Sequence, residues 1–380
     1  MSQKKIRIIL LTILLTLSVF FFLDRTFLRG VSISASQNKT FKILGTVIRL
    51  IRNDYVEEPN PQKTMDGAFK GIADSLDVLS SYLDKENLIK YNQRKDKDLK
   101  DIGIILYKRY GSFPMVIGIK ENSPAENEGV KLGELISTID GQPTLMMSML
   151  EANLYLKDKE SHPIRIEIVR ANKNEVLTIP RTQVHVKPFD FNEAKNTSGI
   201  LKIHNFYSSL TTELKKHVIP QLIKQTAPLI LDLRDCHEGD IEEAQRFVNY
   251  FLKKEKIGYF EKKGKFKEFL SCLEPADIPT LPLIIWINQA TIGPAEVVSA
   301  VLKKHRNATV IGSQTLGLVA KQQFFTLDDE TGLVLTSAVF HLSPEEKSWQ
   351  KGLVPDIKLK KEDQSSSDFL KKTYEILRKK

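Results

Sequence analysis

The sequence predicts an α/β protein in which a layered core follows a small β-rich block and a helical segment. In the core, strands alternate with helices, and Leu229–Leu233 and Leu281–Ile287 are continuously apolar, as in parallel strands buried on both faces. In the β-rich block, Ile164–Val169 places isoleucine at every second position, which is the period of a half-buried strand. In the helical segment, the apolar residues of Phe41–Tyr55 recur at helical spacing.

Length and composition agree with several domains. The chain has 380 residues, more than one ordinary domain, and 41% of them are hydrophobic and 27% charged. These fractions exclude a disordered or collagen-like chain. The net charge of +9 is concentrated near the two ends without interleaved aromatic residues, so we expect no nucleic-acid partner. Two cysteines are too few for a disulfide scaffold or a cysteine-rich zinc module.

The N-terminal segment, residues 1–30, is predicted to be a transmembrane anchor. Ile8–Leu23 is an uninterrupted uncharged run behind Lys4, Lys5 and Arg7, and its length approaches the roughly 20 residues of a spanning helix. No small-residue cleavage site follows at once, which favours a retained anchor with the rest of the chain outside the cytoplasm, either periplasmic or extracellular. A signal peptide cleaved near residues 32–36 is the alternative.

The remainder divides into four parts by pattern. Residues 36–98 are expected to form a helical lead-in, residues 99–186 a binding module of short strands, and residues 187–360 the α/β core. A basic C-terminal helix, whose charges we expect to be solvated, is predicted over residues 361–380. The seven histidines show no metal-ligand spacing and no phosphate-binding loop is present, so we expect neither a metal site nor a cofactor.

Short motifs follow one another in a fixed order beyond the N-terminal segment. They are Tyr55-Val56-Glu57 and Ser80-Ser81-Tyr82-Leu83 in the lead-in, Ile102-Gly103-Ile104, Ser123-Pro124-Ala125 and Ile139-Asp140-Gly141 in the β-rich block, and Leu231-Asp232-Leu233-Arg234, Asn288 to Glu296, Gly312 to Gly317 and Lys351 to Asp356 in the core. Together they resemble the C-terminal processing peptidases, also called tail-specific proteases, which are exported serine enzymes. The resemblance implies a PDZ domain over residues 99–186 and a crotonase- or ClpP-like layering of the α/β core.

The resemblance also implies a Ser–Lys dyad, in which a neutral lysine deprotonates the serine that attacks the peptide carbonyl. Asn288 and Glu296 align the nucleophile motif and put Gly293 where the serine is expected. In the second motif Leu318 stands at the lysine position, although the accompanying glutamine is present as Gln322. Glycine has no side chain to attack with and leucine cannot accept a proton, so we predict that no intact dyad forms.

The positions that would stabilise the oxyanion are altered as well. The residue after the nucleophile position is Pro294, which has no backbone N–H to donate. In the other donor loop, Glu238 replaces a glycine that the resemblance implies, next to the retained Gly239. We expect an acidic side chain there to oppose a developing negative charge. The resemblance therefore implies a catalytically degenerate member of the family.

Other side chains near these positions leave alternatives open. Thr291 offers a hydroxyl and Lys321 an amine, which together would make an active serine-type peptidase with a rearranged site. Cys236 and His237 lie in the same stretch of sequence. We interpret Cys236 as an inert small residue or as one half of a disulfide with Cys272.

A PDZ-like block also implies a ligand. Such a domain adds a peptide as an extra strand and holds its terminal carboxylate on a loop of backbone N–H groups, for which Ile102, Gly103 and Ile104 are the candidates. Asp101 stands where the family pattern has glycine, and we expect its charge to weaken carboxylate binding. A block retained only for packing is the alternative.

These patterns predict a membrane-anchored, extracytoplasmic relative of the tail-specific proteases without proteolytic activity. Its expected partners are unfolded or C-terminal peptide segments, an active relative of the family, or a second copy of the chain. An active peptidase with a rearranged site and a purely structural envelope protein are the competing hypotheses.

Overall fold

The computed structural model divides the chain into two compact units, Met1–Met65 and Asp66–Lys380. It describes residues 35–94, 99–109, 111–170, 173–183, 187–192, 198–224, 226–253, 255–263, 266–272, 277–278, 280–327, 330–345, 351–360 and 365–378. The predicted anchor, Ile8–Leu23, lies outside these residues. Within them, no helix combines the length and the apolar character needed to cross a membrane.

The lead-in is helical where apolar residues recur at helical spacing. Helix α1 spans Ala35–Asp54, and α2 spans Pro61–Asp74, with proline at the first position, where a missing N–H costs nothing. Helix α3, Lys85–Gln93, is capped by the Asp84 side chain.

The lead-in is not purely helical, contrary to the sequence-based expectation. Strand β1, Ser81–Leu83, is fully buried and pairs antiparallel with residues 332–334, in a later part of the chain. Because its partner lies about 250 residues away in sequence, local pattern carries no sign of this strand.

The β-rich block is an antiparallel sheet with two helices and a 3₁₀ turn. Its strands run in the spatial order β2-β3-β4-β6-β7, and β5 pairs with β4. The strands are β2 Ile104–Tyr107, β3 Met115–Ile119, β4 Leu135–Ile139, β5 Gln142–Pro143, β6 Ile164–Val169 and β7 Glu175–Ile179; the helices are α4 Pro124–Asn127 and α5 Met149–Tyr155, and the 3₁₀ turn is Thr144–Met146. Ile164, Ile166 and Ile168 are fully buried, as their alternation predicts.

The α/β core is built on a mostly parallel sheet. Its strands are β8 Phe189–Asn192, β9 Gly199–Ile203, β10 Leu229–Asp232, β13 Leu283–Ile287, β14 Thr309–Gly312 and β17 Ile357–Lys358, in the order β17-β14-β13-β10-β9-β8. All neighbouring pairs are parallel except β8 with β9. Every residue of β10 and β13 is buried, as the two continuous apolar runs predict.

Helices cover both faces of this sheet. The helices of the core are α6 Leu210–His217, α7 Ile219–Leu222, α8 Ile241–Asn249, α9 Pro294–Arg306 and α10 Ser366–Leu377. Helices α6 to α9 bury one face in a large apolar cluster. On the other face, Phe369 of α10 packs on Trp286 with ring centroids 5.3 Å apart.

The C-terminal helix is therefore not the fully solvated tail expected from its charge. Phe369 and Thr373 are completely buried, and the Trp286 indole N–H donates to the Thr373 hydroxyl at 3.0 Å. Basic Lys371 of α10 is exposed, whereas Phe369 and Thr373 of the same helix are part of the core.

A second sheet joins distant parts of the chain. Its strands β11 Glu255–Lys262, β12 Phe266–Cys272, β15 Ala320–Thr326 and β16 Gly332–His341 combine with β1 in the order β1-β16-β11-β12, and β15 pairs with β16.

Candidate functional site

The carboxyl ends of three neighbouring parallel strands bring the predicted site residues together. The loop Leu233–Gly239 follows β10, the loop Asn288–Gly293 follows β13, and the loop Ser313–Val319 follows β14. Crevices at the carboxyl ends of parallel strands are the usual place for ligands in open α/β sheets. The three core motifs therefore lie at one edge of the parallel sheet.

Gly293 lies close to the backbone of Leu318, between the loops that follow β13 and β14. Gly293 has a φ of +60° and a ψ of −115° in the sharp turn between β13 and α9. Sharp strand-to-helix turns of this kind present the nucleophile in serine hydrolases. A side chain at Gly293 would enter open space, where the nearest atom is the Leu318 carbonyl oxygen at 3.9 Å. The turn is present, but neither residue carries a reactive group.

Pro294 occupies the first position of α9 and is buried. Its fixed φ suits the start of a helix, and its missing N–H removes the donor that would follow a nucleophile. The proline therefore stabilises the turn and removes one half of an oxyanion hole.

Glu296 holds the Leu318 loop in place from the first turn of α9. Its buried carboxylate accepts hydrogen bonds from the Gly317 N–H at 2.8 Å, the Leu318 N–H at 2.9 Å and the Thr315 hydroxyl. Burial raises the pKa of Glu296 to about 7, although these hydrogen bonds oppose the shift. In the sequence Glu296 serves only to align the motif, because its bracing role depends on contacts with a loop about 20 residues away.

Glu238 does not act as we expected from the sequence. Its carboxylate binds the Lys157 ammonium at 2.7 Å and the Tyr207 hydroxyl at 3.0 Å. Although burial works against it, Lys157 and His237 hold the pKa of Glu238 well below its usual range. The charge is neutralised by a lysine that follows α5, so Glu238 ties the β-rich block to the core instead of opposing an oxyanion.

The β-rich block also packs directly on the candidate site. Strand β3 approaches so closely that a side chain at Gly118 would lie 2.7 Å from both the Ala290 Cβ and an Asp235 carboxylate oxygen. Ile105 and Ile117 form a buried cluster with Ala290, and Leu316 packs against it. The nucleophile loop is therefore covered by two strands of the preceding block.

The candidate carboxylate loop already holds a carboxylate. An Asp101 side-chain oxygen accepts from the Ile102 N–H at 2.7 Å and from the Gly103 N–H at 3.2 Å, and the Lys120 ammonium lies 3.4 Å from the other oxygen. Ile102 and Ile104 are buried in the core of the block. Asp101 thus does more than add charge, because it occupies two of the donors that a peptide terminus would use.

Comparison with known proteins shows which peptidases the chain resembles. Residues 197–359 match the model of peptidase family S41. Over 350 residues the chain is 28% identical to the carboxy-terminal processing protease CtpA of Bacillus subtilis (strain 168), covering 91% of this chain and 75% of that protein. The chain is therefore similar to peptidase family S41 over these core residues and to a C-terminal processing protease over most of its length.

Other relatives and one solved structure agree. The probable CtpA-like serine protease of Staphylococcus aureus (strain COL) is 24% identical over 352 residues, which are 92% of this chain and 70% of that protein. The solved structure of the photosystem II D1 C-terminal processing protease superposes with a TM-score of 0.69 at 19% identity, covering 84% of this chain and 88% of the other. At that identity the likeness is one of fold.

Thr291 and Lys321 do not form a substitute dyad in this fold. The Thr291 hydroxyl is fully buried, donates to the Leu233 carbonyl at 2.8 Å and accepts from the Asn288 N–H at 3.0 Å. The Lys321 ammonium binds Glu268 at 2.7 Å and lies 5.0 Å from the centre of the Phe260 ring. Each group is held by other partners, so the hydroxyl and the amine do not meet.

The remaining candidates also have structural roles. Gln322 is exposed, and its amide donates to the Leu79 carbonyl at 2.6 Å, which ties β15 to the lead-in. Cys236 and Cys272 are free buried thiols, so the disulfide considered from sequence is not formed. Burial raises the pKa of the Cys236 thiol well above its usual value, which makes a poor nucleophile. In the described residues no cluster of His, Cys, Asp or Glu is arranged to hold a metal ion.

Sequence reasoning missed Lys157 and Tyr207. Both lie outside the family motifs, and their role depends on a contact between two parts of the chain that are far apart in sequence. The one signal available was Glu238 itself, since an acidic residue at a glycine position calls for a nearby cation.

Proposed function

We propose that this chain is a membrane-attached, extracytoplasmic member of the C-terminal processing peptidase family that does not cleave peptide bonds and binds unfolded or C-terminal peptide segments instead. One observation supports the proposal most: the space beside Gly293 is open except for the Leu318 carbonyl oxygen, and the family motifs align these two residues with the serine and the lysine. Pro294 adds the loss of an oxyanion donor at the same turn.

Loss of three functions at one place supports this reading. Acyl transfer to a serine needs a nucleophile, a base and an oxyanion donor at the same time. Gly293, Leu318 and Pro294 lack these three groups in that order, while the turn and its bracing Glu296 are retained. A fold that keeps its geometry without its reactive groups is suited to binding.

The β-rich block supports peptide binding in the manner of a PDZ domain. Strand β2 is the terminal strand of its sheet among the described strands, and α5 lies beside it, with the Asn153 amide 3.5 Å from the Leu106 carbonyl. An extended peptide added to such an edge gains main-chain hydrogen bonds. An active relative of the family is a second class of partner.

Membrane attachment is supported by the sequence of Ile8–Leu23, which is long and uncharged behind basic residues. With the basic residues before Ile8 on the cytoplasmic side of the membrane, the described residues lie outside the cytoplasm. Unfolded protein tails are exposed there during export. The first relative is named for carboxy-terminal processing, which agrees with peptide tails as the ligand class.

We expect the unmodified protein to cleave an unfolded protein substrate no faster than background and to resist labelling by serine-directed phosphonates. The physical reason is that the open space beside Leu318 holds no hydroxyl. The assay follows product formation by gel and mass spectrometry, with an active relative of the family in parallel as the positive control. Robust cleavage that disappears on Thr291→Ala or Lys321→Ala would instead establish a rearranged serine-type site.

A second expectation concerns Asp101. Unmodified protein should bind a peptide with a free C-terminus no better than its amidated twin, because the Asp101 carboxylate occupies the Ile102 and Gly103 donors. Asp101→Gly should free both donors and give the free acid an advantage of about tenfold, equivalent to roughly 1.4 kcal/mol. Fluorescence anisotropy with the two peptides measures this ratio.

Asp101→Asn is the matched control for that experiment. Asparagine keeps an oxygen that can accept from the same two N–H groups but removes the charge. If occupancy is the cause, only the glycine variant gains the preference; if charge alone is the cause, both variants gain it. No preference in any of the three proteins would favour a block that serves packing alone.

A further inference from the structure

Helix α1 carries a large apolar face that is exposed to solvent. Phe41 is 63% exposed, Ile43 55%, Val47 44% and Leu50 53%. Ile43, Val47 and Leu50 follow one another at helical spacing, so they form one stripe along the helix. Contiguous exposed apolar surface of this kind marks an interaction site.

The opposite side of α1 is basic. Lys42, Arg49 and Arg52 are exposed and lie on the helix faces away from the stripe of Ile43, Val47 and Leu50, whereas exposed Lys39 stands one turn before Ile43, at the N-terminal end of the stripe. The acidic residue of the helix, Asp54, is its last residue. A helix with an apolar face and a basic opposite face is the pattern of a helix that lies in the interface of an anionic membrane.

We propose that α1 lies along the surface of a bilayer that contains anionic lipid, with Ile43, Val47 and Leu50 inserted below the headgroups. Charge complementarity selects this occupant: the basic side chains would meet lipid phosphates, whereas a second copy of α1 would bring four more basic residues with a single acidic one. The inference rests on the proposed membrane attachment and adds a second contact, parallel to the surface, behind the Ile8–Leu23 segment.

Such a contact would set the height of the lead-in above the membrane. A helix held flat by its apolar stripe and its basic residues cannot act as a free tether, because both faces are fixed by the interface. The expected ligand chemistry is that of a lipid headgroup phosphate within a bilayer, and not of free phosphate, since the stripe needs acyl chains to bury it.

The test uses the full chain reconstituted in vesicles of phosphatidylcholine with or without phosphatidylglycerol. An environment-sensitive fluorophore is attached at Val47→Cys on the apolar stripe or at Gly45→Cys, where a side chain would meet nothing within 4 Å. Cys236 and Cys272 are buried, and unmodified protein carried through the same labelling gives the background. Spin-labelled lipid in the same vesicles reports contact with the acyl chains.

With phosphatidylglycerol present, we expect lipid quenching at position 47 to exceed that at position 45 at least threefold, and the difference to shrink in high salt. Replacing Lys39, Lys42, Arg49 and Arg52 together by glutamine should abolish the dependence on phosphatidylglycerol and leave co-sedimentation with vesicles intact.

Two outcomes would overturn the inference while leaving membrane attachment in place. In the first, the protein co-sediments with vesicles but positions 45 and 47 are quenched equally. In the second, position 47 is protected in proportion to protein density and without regard to phosphatidylglycerol, which would assign the stripe to a second copy of the chain. Failure of the protein to co-sediment at all would contradict both membrane attachment and the surface helix.

Discussion

A triple variant with Gly293→Ser, Pro294→Ala and Leu318→Lys is expected to cleave an unfolded substrate about 10²–10³-fold faster than the double variant that keeps Pro294. The ratio is the usual worth of one oxyanion donor, which corresponds to about 3–4 kcal/mol. The double variant restores a nucleophile and a base but leaves the oxyanion without the N–H at position 294.

The geometry favours this reconstruction in two ways. A serine side chain at position 293 meets open space, although the positive φ there costs some strain, and a lysine in place of buried Leu318 would have its pKa lowered towards the neutral base that the reaction needs. Glu238 is paired with Lys157 and is therefore not free to repel the oxyanion. Rates from a fluorogenic unfolded substrate, compared at equal folded fraction, measure the ratio.

The matched control adds Pro124→Ala to the double variant. Pro124 also opens a helix, α4, so its replacement tests the effect of losing such a proline away from the site. Rates that rise equally in the two triple variants would assign the gain to backbone effects, and equal rates in the double and triple variants would show that position 294 is not an oxyanion donor in this fold.

The second large effect is expected in the pH dependence of stability. In the native protein the pKa of Glu296 is raised to about 7, so between about pH 4.5 and pH 7 the folded chain binds a proton that the unfolded chain has lost. The free energy of unfolding should therefore fall as the pH rises through that window and level off above it. A shift of this size corresponds to about 3 kcal/mol.

Glu296→Gln isolates this contribution. The variant cannot titrate at position 296, so the difference between its unfolding free energy and that of the unmodified protein should change by about 3 kcal/mol across the window, while all other groups cancel. Chemical denaturation at several pH values from 4.5 to 8 provides the measurement. A difference that does not vary with pH would mean that the carboxyl is ionised throughout, with its three donors outweighing burial.

The sequence predicted those parts of the fold and site that depend on local pattern. Continuous apolar runs predicted β10 and β13 because strands covered on both faces need no polar side. The family motifs aligned Gly293 and Leu318 with the dyad positions, and the loops that carry them follow adjacent parallel strands. Isoleucine at every second position predicted β6, because a period of two is typical of a half-buried strand.

What the sequence could not predict depends on contacts between distant residues. Strand β1 exists because β16 offers it a partner, and the Glu238 carboxylate is tolerated because Lys157 and Tyr207 meet it. The basic composition of α10 obscured the role of Phe369 as a core residue. Asp101 was recognised as a departure from the family pattern, but only the structure shows its carboxylate on the loop donors.

The close approach of Gly118 to Ala290 and Asp235 limits how this protein can exchange parts with its relatives. Any residue with a side chain at that point of β3 would push the β-rich block off the loop that follows β13, and the Lys157–Glu238 ion pair would be stretched with it. The block and the core of this chain therefore have to vary together, and a chimaera that places the block of a relative on this core is expected to need glycine at the position of Gly118 and a cation that reaches Glu238.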